Sequence, residues 1–402
     1  MQYTLDKMFG YVYNGGMYIT REAEKKLNIH LASPKIAIVI GARQVGKTTL
    51  VKHVLNLRKS FFLNFDIDLD KQKIISASSL SPKEAIQSFG DPEYLIIDEA
   101  QRLPQIGSIV KGWYDSNLPL KIILLGSSSL DLLNKSAESL TGRNEKLFIT
   151  PLQFGEIVRS KDWHADVYTD NEMETNFLNQ MSETLMQSLV FGNYPEILFE
   201  SDKKQYLLNL ISDYLFKDVL QMGLIKTPEL IKKLLALLAH QIGSEVSTNE
   251  LASNLGIARA TVERYLDLLE QTFVIFRLPA FSTNPRKEIS KSHKIYFWDT
   301  GVRNAILNEF SSNPLRSDIG HLWENWVVAE FAKQNMLTGQ TKNLYFWRSR
   351  TGSEVDLIVK EGEKISAYEI KWKDKKVASR AFKAKYGVAV KTITSAHPLI
   401  KL

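Results

Sequence analysis

Cysteine is absent from this 402-residue chain, which removes disulfides, thiolate metal sites and cysteine nucleophiles together. That absence fits a reducing compartment. No apolar run reaches the ~20 residues that a membrane-spanning helix needs, so no membrane association is expected. The first residues, Met1-Gln2-Tyr3-Thr4-Leu5-Asp6-Lys7, lack the apolar core of a signal peptide, and a cytoplasmic protein is the expectation. Low-complexity tracts are missing as well. Charge of one sign is scarce overall, with a net of only +6, yet it is unevenly spread. Residues 342–402 hold 14 Lys+Arg and 6 Asp+Glu, a surplus of +8, which leaves 37 against 39, or −2, for residues 1–341. A basic C-terminal surplus suits an anionic partner such as DNA, and it suits a solvated lysine-rich surface equally well.

What is present supports ordinary cores: 44% of residues are apolar, and the length allows two or three domains. The sharpest motif is Gly41-Ala42-Arg43-Gln44-Val45-Gly46-Lys47-Thr48, which fits the G-x-x-x-x-G-K-[ST] phosphate-binding loop. Before it, Ile36-Ala37-Ile38-Val39-Ile40 has the composition of a buried parallel strand. After it, a helix from Lys47 to about Leu57, with Thr49 in its first turn, turns its positive N-terminal end toward the same phosphates. Lys47 is placed for the β- and γ-phosphates of a nucleotide and Thr48 for Mg²⁺.

A second buried strand, Tyr94-Leu95-Ile96-Ile97-Asp98-Glu99, ends in two acids. An acid at a strand's carboxyl end reaches the nucleotide crevice of an open parallel sheet. Asp98 is expected to hold Mg²⁺, and Glu99 to orient and polarise the attacking water. This pairing favours hydrolysis over phosphoryl transfer to a metabolite. A third strand, Lys121-Ile122-Ile123-Leu124-Leu125, leads into Gly126-Ser127-Ser128-Ser129, where Ser127 is positioned as a γ-phosphate sensor and Ser129 as a helix cap. Arg143, in Leu140-Thr141-Gly142-Arg143, precedes a fourth expected strand over 146–152 and is a candidate to neutralise transition-state charge, in its own site or a neighbour's, with a solvated loop arginine as the alternative. A neighbour's site would require a homo-oligomer.

These stretches, with Ile96-Ile97-Asp98-Glu99-Ala100-Gln101 and Pro151-Leu152-Gln153-Phe154-Gly155-Glu156, resemble AAA-type ATPases, mostly bacterial and archaeal, that carry a C-terminal domain of unknown function. The usual loop of that group has proline where this chain has Ala42, a change that leaves the backbone phosphate contacts intact. The resemblance implies ATP hydrolysis with Mg²⁺.

Residues 161–226 read as a helical lid or linker, in which Arg159 just before it, or Lys217 within it, could contact a nucleotide or a neighbour. Tyr206 to Met222 has amphipathic helical spacing, and Gly192-Asn193-Tyr194-Pro195 is a break. From residue 227 to 300 the pattern is a winged helix. Helices are expected over 230–242, 250–255 with Thr248 as cap, and 260–273, and two strands, 274–278 and 294–298, flank a basic hairpin at Asn284-Pro285-Arg286-Lys287. On the third helix Arg259, Thr261 and Arg264, with Glu263, are the candidates to face DNA. A winged helix also serves as a protein-interaction module.

Residues 301–402 carry a helix with Glu324 near its start, then three strands holding Asp356 and the pair Glu369 and Lys371 around a tight hairpin at 360–364. Side chains two apart on a strand share a face. Acid, hairpin and Glu-x-Lys together resemble the restriction-endonuclease-like core, which implies two Mg²⁺-binding acids and a lysine that positions or activates water. The fold survives loss of chemistry, so cleavage is a separate question. Lys373, Lys375, Lys376, Arg380, Lys383 and Lys385 follow as a candidate phosphate-tracking segment or a solvated face.

The expected fold is therefore α/β: a short N-terminal segment (1–32), an AAA-type P-loop parallel sheet (33–160), the helical linker, the winged-helix region and a C-terminal α/β restriction-endonuclease-like domain. Three functional readings remain open at this point. In the first, ATP hydrolysis drives rearrangement of the C-terminal modules on DNA. The second is an ATP-gated, Mg²⁺-dependent nuclease, and the third an ATPase switch or scaffold that binds only a protein partner.

Overall fold

The computed structural model describes residues 12–13, 16–56, 58–127, 140–164, 175–212, 228–282, 293–349, 351–373 and 380–399. The expected roles of Ser129, Lys217, Lys375 and Lys376, the 284–287 hairpin and the 213–222 half of the amphipathic helix lie outside those residues. The chain divides into two compact units, Met1–Thr150 and Pro151–Leu402.

The described part of the first unit begins with two short antiparallel strands, β1 (Val12–Tyr13) and β2 (Gly16–Met17). Its body is a parallel sheet built from β3 (Ile36–Ile40), β4 (Ser60–Asn64), β5 (Tyr94–Asp98), β6 (Lys121–Gly126) and β7 (Asn144–Phe148), in the order β4-β5-β6-β3-β7. Every residue of β3 is buried, as its unbroken apolar run requires of a central parallel strand. Each such Ile or Val contributes roughly 1.5–3 kcal/mol on leaving water. Helix Ile106–Asp115 buries Ile106, Val110 and Trp113, spaced four and three apart on one face.

The strand order matters more than the helices. Placing β6 between β5 and β3 brings the ends of the acid-bearing strand, the serine-bearing strand and the loop-bearing strand to one edge, with Ile40 level with Gly126 and Ile97 level with Leu124. The fourth strand is shorter and earlier than its sequence suggests. It stops at Phe148; Ile149 still donates its N–H to the Ile40 carbonyl at 2.7 Å, and Pro151, with no N–H to give, follows at the start of the second unit.

The second unit begins with helices Phe154–Arg159, Thr175–Phe191 and Lys203–Leu210. Helices Pro228–His240, Thr248–Leu255 and Arg259–Gln271 follow, joined by β8 (Glu245–Val246) and by Gly256 in the left-handed conformation. Ser247, not Thr248, caps the second of these, accepting the Glu250 N–H at 3.3 Å. The strands β9 (Ile275–Pro279) and β10 (His293–Phe297) pair antiparallel, and β8 adds to the other side of β10. Helices Thr300–Leu307 and Ile319–Leu337 lead to a second sheet of β11 (Asn343–Arg348), β12 (Glu354–Glu361), β13 (Lys364–Lys371) and β14 (Val390–Thr394) in that order, with helix Arg380–Tyr386 before its last, parallel strand. Among the described residues no helix is long and apolar enough to cross a membrane.

Candidate functional site

The phosphate loop leaves β3 at Gly41, where no side chain fits. A Cβ there would lie 2.0 Å from the Ile149 carbonyl oxygen. Gly46 enters the helix at φ 89°, a conformation that costs glycine nothing, and helix Lys47–Leu55 starts directly after it. Lys47 is buried, and its Nζ donates to the carbonyls of Gly41 (2.9 Å) and Ala42 (2.7 Å), which curls the ammonium over the loop. Val45 is buried beneath, whereas Gln44 and Thr49 are exposed and Arg43 is half-buried. Arg21, from outside the motif, braces the loop: its guanidinium is buried and donates to the Val45 carbonyl at 2.9 Å and the Thr150 carbonyl at 2.8 Å.

Thr48 donates its hydroxyl to Asp98 Oδ2 at 2.6 Å, joining the first turn of the helix to the end of β5. Asp98 Oδ1 accepts the Glu99 N–H at 2.9 Å. Glu99 itself sits at φ 50°, the left-handed region that a non-glycine residue rarely occupies, and this turns its side chain out of the strand direction. Its Oε2 accepts from Ser127 Oγ at 3.2 Å and from the Gln101 amide, which also donates to Ser127 at 3.0 Å. Four of the residues singled out in the sequence, Thr48, Asp98, Glu99 and Ser127, thus meet through direct hydrogen bonds or shared partners. Gln101, which the sequence places in a matching stretch without a role, is a fifth member.

Arg143 does not join them. It lies just before Asn144, which is level with Ile36 at the start of β3, while the phosphate loop leaves the other end of that strand after Ile40. Five residues of strand, about 13–17 Å, separate the two ends. Its guanidinium forms a two-pronged pair with Asp115, Nε to Oδ1 at 2.7 Å and Nη2 to Oδ2 at 3.2 Å. A role for Arg143 in its own phosphate site is therefore corrected by the strand direction.

On the third of the short helices, Arg259 and Arg264 are exposed and Thr261 is half-buried. Arg259 lies 3.9 Å from Glu263, one turn on. The same helix gives Glu263, Asp267 and Glu270 to Arg277 of β9, which draws its carboxylates together.

In the second sheet, Asp356, Glu369 and Lys371 converge as the two-residue alternation requires. Lys371 Nζ is 2.9 Å from Glu369 Oε1 and 3.5 Å from Asp356 Oδ2, and that Asp356 oxygen also accepts the Ile370 N–H at 2.7 Å. Glu324 approaches from helix Ile319–Leu337. It is enclosed, and burial pushes its carboxyl up to about 7 against the opposing pull of the Lys294 ammonium. Lys294 and Tyr296 of β10, unmarked by any motif, hold it. Among the described residues no group of three or more His, Cys, Asp or Glu is arranged to hold a metal ion.

Three segments of the chain match known families. Residues 33–158 match the family described as an AAA domain. Residues 182–313 and 319–397 match two domains of unknown function, DUF8612 and DUF4143. An uncharacterized protein of Mycobacterium tuberculosis is 27% identical over 87% of this chain and 73% of its own length. An uncharacterized protein of Methanocaldococcus jannaschii is 28% identical over 83% and 74%. Among solved structures, a Walker-type ATPase of Pyrococcus abyssi aligns over 72% of this chain and 96% of its own, with a TM-score of 0.49 and 17% identity. The ORC1 protein of Aeropyrum pernix, solved in complex with DNA, aligns over 74% and 94%, with a TM-score of 0.31 and 16% identity.

Proposed function

The chain carries an AAA-type P-loop ATPase domain and a C-terminal domain of unknown function, and from that premise we propose that it hydrolyses ATP with Mg²⁺ to drive rearrangement of its second unit on DNA. The observation that carries the hydrolysis reading is the Thr48–Asp98 contact of 2.6 Å with Glu99 and Ser127 beside it. Two oxygen donors that close suit a hard divalent cation. Thr48 and Asp98 would hold Mg²⁺, which when bound neutralises charge on the β- and γ-phosphates.

The protein's own residues perform the rest. Backbone N–H groups of the loop cradle the phosphates, and Lys47 exchanges the Gly41 and Ala42 carbonyls for phosphate oxygens. Glu99 orients a water for in-line attack and takes its proton. Ser127, at the end of β6, touches the γ-phosphate.

For the second unit, β8 between the first two short helices and its pairing with β10 support the winged-helix reading. Exposed Arg259 and Arg264 support contact with nucleic-acid phosphates. The Asp267 and Glu270 clamp on the same helix favours a second reading, in which that helix meets a protein instead. A cytoplasmic location belongs with either.

The test is steady-state ATP turnover. Lys47→Ala should abolish it, and Glu99→Gln should lower kcat by roughly 100-fold or more, in the range expected for loss of a general base, while retaining ATP binding. Unchanged turnover in both variants would sink the proposal.

A further inference from the structure

The carboxylates of the C-terminal module already contain a cation. Lys294, with only 3% of its side chain exposed, projects from β10 with its Nζ 3.0 Å from Glu324 Oε1 and in contact with the Glu354 carboxylate. Tyr296, two residues on and therefore on the same face of the strand, donates its hydroxyl to the same Glu324 oxygen at 2.7 Å. The Asp356 charge reaches both Lys294 and Glu324. Lys371 closes the outer half of the cluster between Asp356 and Glu369.

Charge accounting explains why the ammonium is there. Glu324, Glu354, Asp356 and Glu369 offer four carboxylates, against the two ammoniums of Lys294 and Lys371, with the Arg348 guanidinium on the rim at 4.0 Å from Glu354. Carboxylates this enclosed need a counter-charge inside the protein. A divalent ion would supply it by taking carboxylate oxygens as ligands, with waters completing its shell, and so needs those oxygens unoccupied. Here the Glu324 oxygen is taken by a lysine and a tyrosine, and one Asp356 oxygen by a peptide N–H and a second lysine.

Lys294 is also held firmly where it is. Asn325, next to Glu324, clasps the Phe297 backbone through both its N–H (2.8 Å) and its carbonyl (2.9 Å), which pins helix Ile319–Leu337 to β10. Phe281 donates its N–H to the Phe346 carbonyl at 2.6 Å, and Arg348 reaches Glu245 at 3.1 Å, so the three-stranded and four-stranded sheets are joined beside the cluster.

We propose that Lys294 is the resident cation of this carboxylate cluster, seated in place of a divalent metal, and that the module does not perform metal-dependent phosphodiester cleavage. The Lys294–Glu354 pair then acts as an internal ion-pair joint between the two sheets, beside the acid and Glu-x-Lys signature that Lys371 closes within its own sheet.

Thermal unfolding without nucleotide, in chelator or in Mn²⁺, tests this apart from the ATP site. The wild type and Asp356→Asn should respond to Mn²⁺ alike. Lys294→Gln should gain a Mn²⁺-dependent rise in Tm, and Lys294→Gln with Asp356→Asn should lose that rise. A Mn²⁺ response in the wild type that disappears in Asp356→Asn would overturn the proposal, as would a folded Lys294→Gln variant indifferent to Mn²⁺. If Lys294→Gln does not fold, plasmid cleavage by the wild type decides: none is expected, and Mn²⁺-dependent cleavage abolished by Asp356→Ala overturns it.

Discussion

Ser127 Oγ lies 3.2 Å from Glu99 Oε2, close enough to donate to it, although the two residues stand at the ends of different strands. The contact exists because β5 and β6 are neighbours in the sheet and end together at the nucleotide edge. A phosphate oxygen reaching Ser127 would compete for the same hydroxyl that now steadies Glu99. On the proposed roles of Ser127 and Glu99, sensing the phosphate and freeing the acid would be one event.

Gln101 should behave as a positioning residue for Glu99. Gln101→Leu removes the amide that donates to both Glu99 and Ser127. The expected outcome is a kcat lower by about tenfold, a fraction of what a general base contributes, with KM for ATP nearly unchanged. Steady-state kinetics of Gln101→Leu beside Gln101→Asn checks it; a rise in KM alone would assign Gln101 to nucleotide binding.

Arg143 should matter only between copies. Because it stands at the far end of the sheet from its own phosphate loop, Arg143→Ala is expected to cut turnover only where chains assemble. Mixing Arg143→Ala with Lys47→Ala should restore some activity, since one chain supplies the arginine and the other the loop. Additive, uncomplemented losses together with a rate per chain independent of concentration would argue that Arg143 serves the Asp115 pair alone.

Arg264→Ala should weaken duplex DNA binding and reduce the slope of log affinity against log salt by about 1, the signature of one lost phosphate contact. Arg264 is exposed on helix Arg259–Gln271, so its removal leaves the core intact. Fluorescence anisotropy across a salt series measures the slope. An unaltered slope points to the protein-binding reading.

His30 should make the first unit acid-sensitive. It is buried, its Nδ1 has no hydrogen-bond partner among the described residues, and burial holds its pKa below the ordinary 6.5. The unfolded chain binds a proton as pH falls through 6.5 while the folded chain refuses it. Stability is therefore complete above 6.5 and declines as pH drops toward the lower folded value. His30→Leu should flatten that decline as pH falls below 6.5, read from thermal melts. An identical slope in both proteins would show that other groups dominate.

Local, contiguous signals were legible in the sequence. The phosphate loop, β3, β5 and β6 each announce themselves within a few residues, through glycines of fixed spacing or an apolar run long enough to fill a buried strand. Asp98 and Glu99 follow from their place at a strand end. What escaped depends on pairing between distant segments. Arg21 braces Thr150 across 129 positions, and nothing near Arg21 marks it. Lys294 reads as the polar first residue of a strand until the helix bearing Glu324 packs against it. Glu354 lies two residues before Asp356 and on its face of β12, yet only the approach of β10 gives it a partner. The two-residue β8 is shorter than any periodicity can reveal. Arg143 stays open to either of two sites in the sequence because strand direction, which separates them, is a property of the sheet.

The crowding at Gly41 has a further consequence. The carbonyl that forbids a side chain there belongs to Ile149, the residue before Thr150, where the first unit ends. Thr150 in turn is gripped by the same Arg21 that grips Val45 in the loop. The cradle for the phosphates and the thread by which the chain leaves the unit are thus fastened to each other. A change in loop shape would act on the chain's exit directly, through Arg21 and the Ile149 carbonyl.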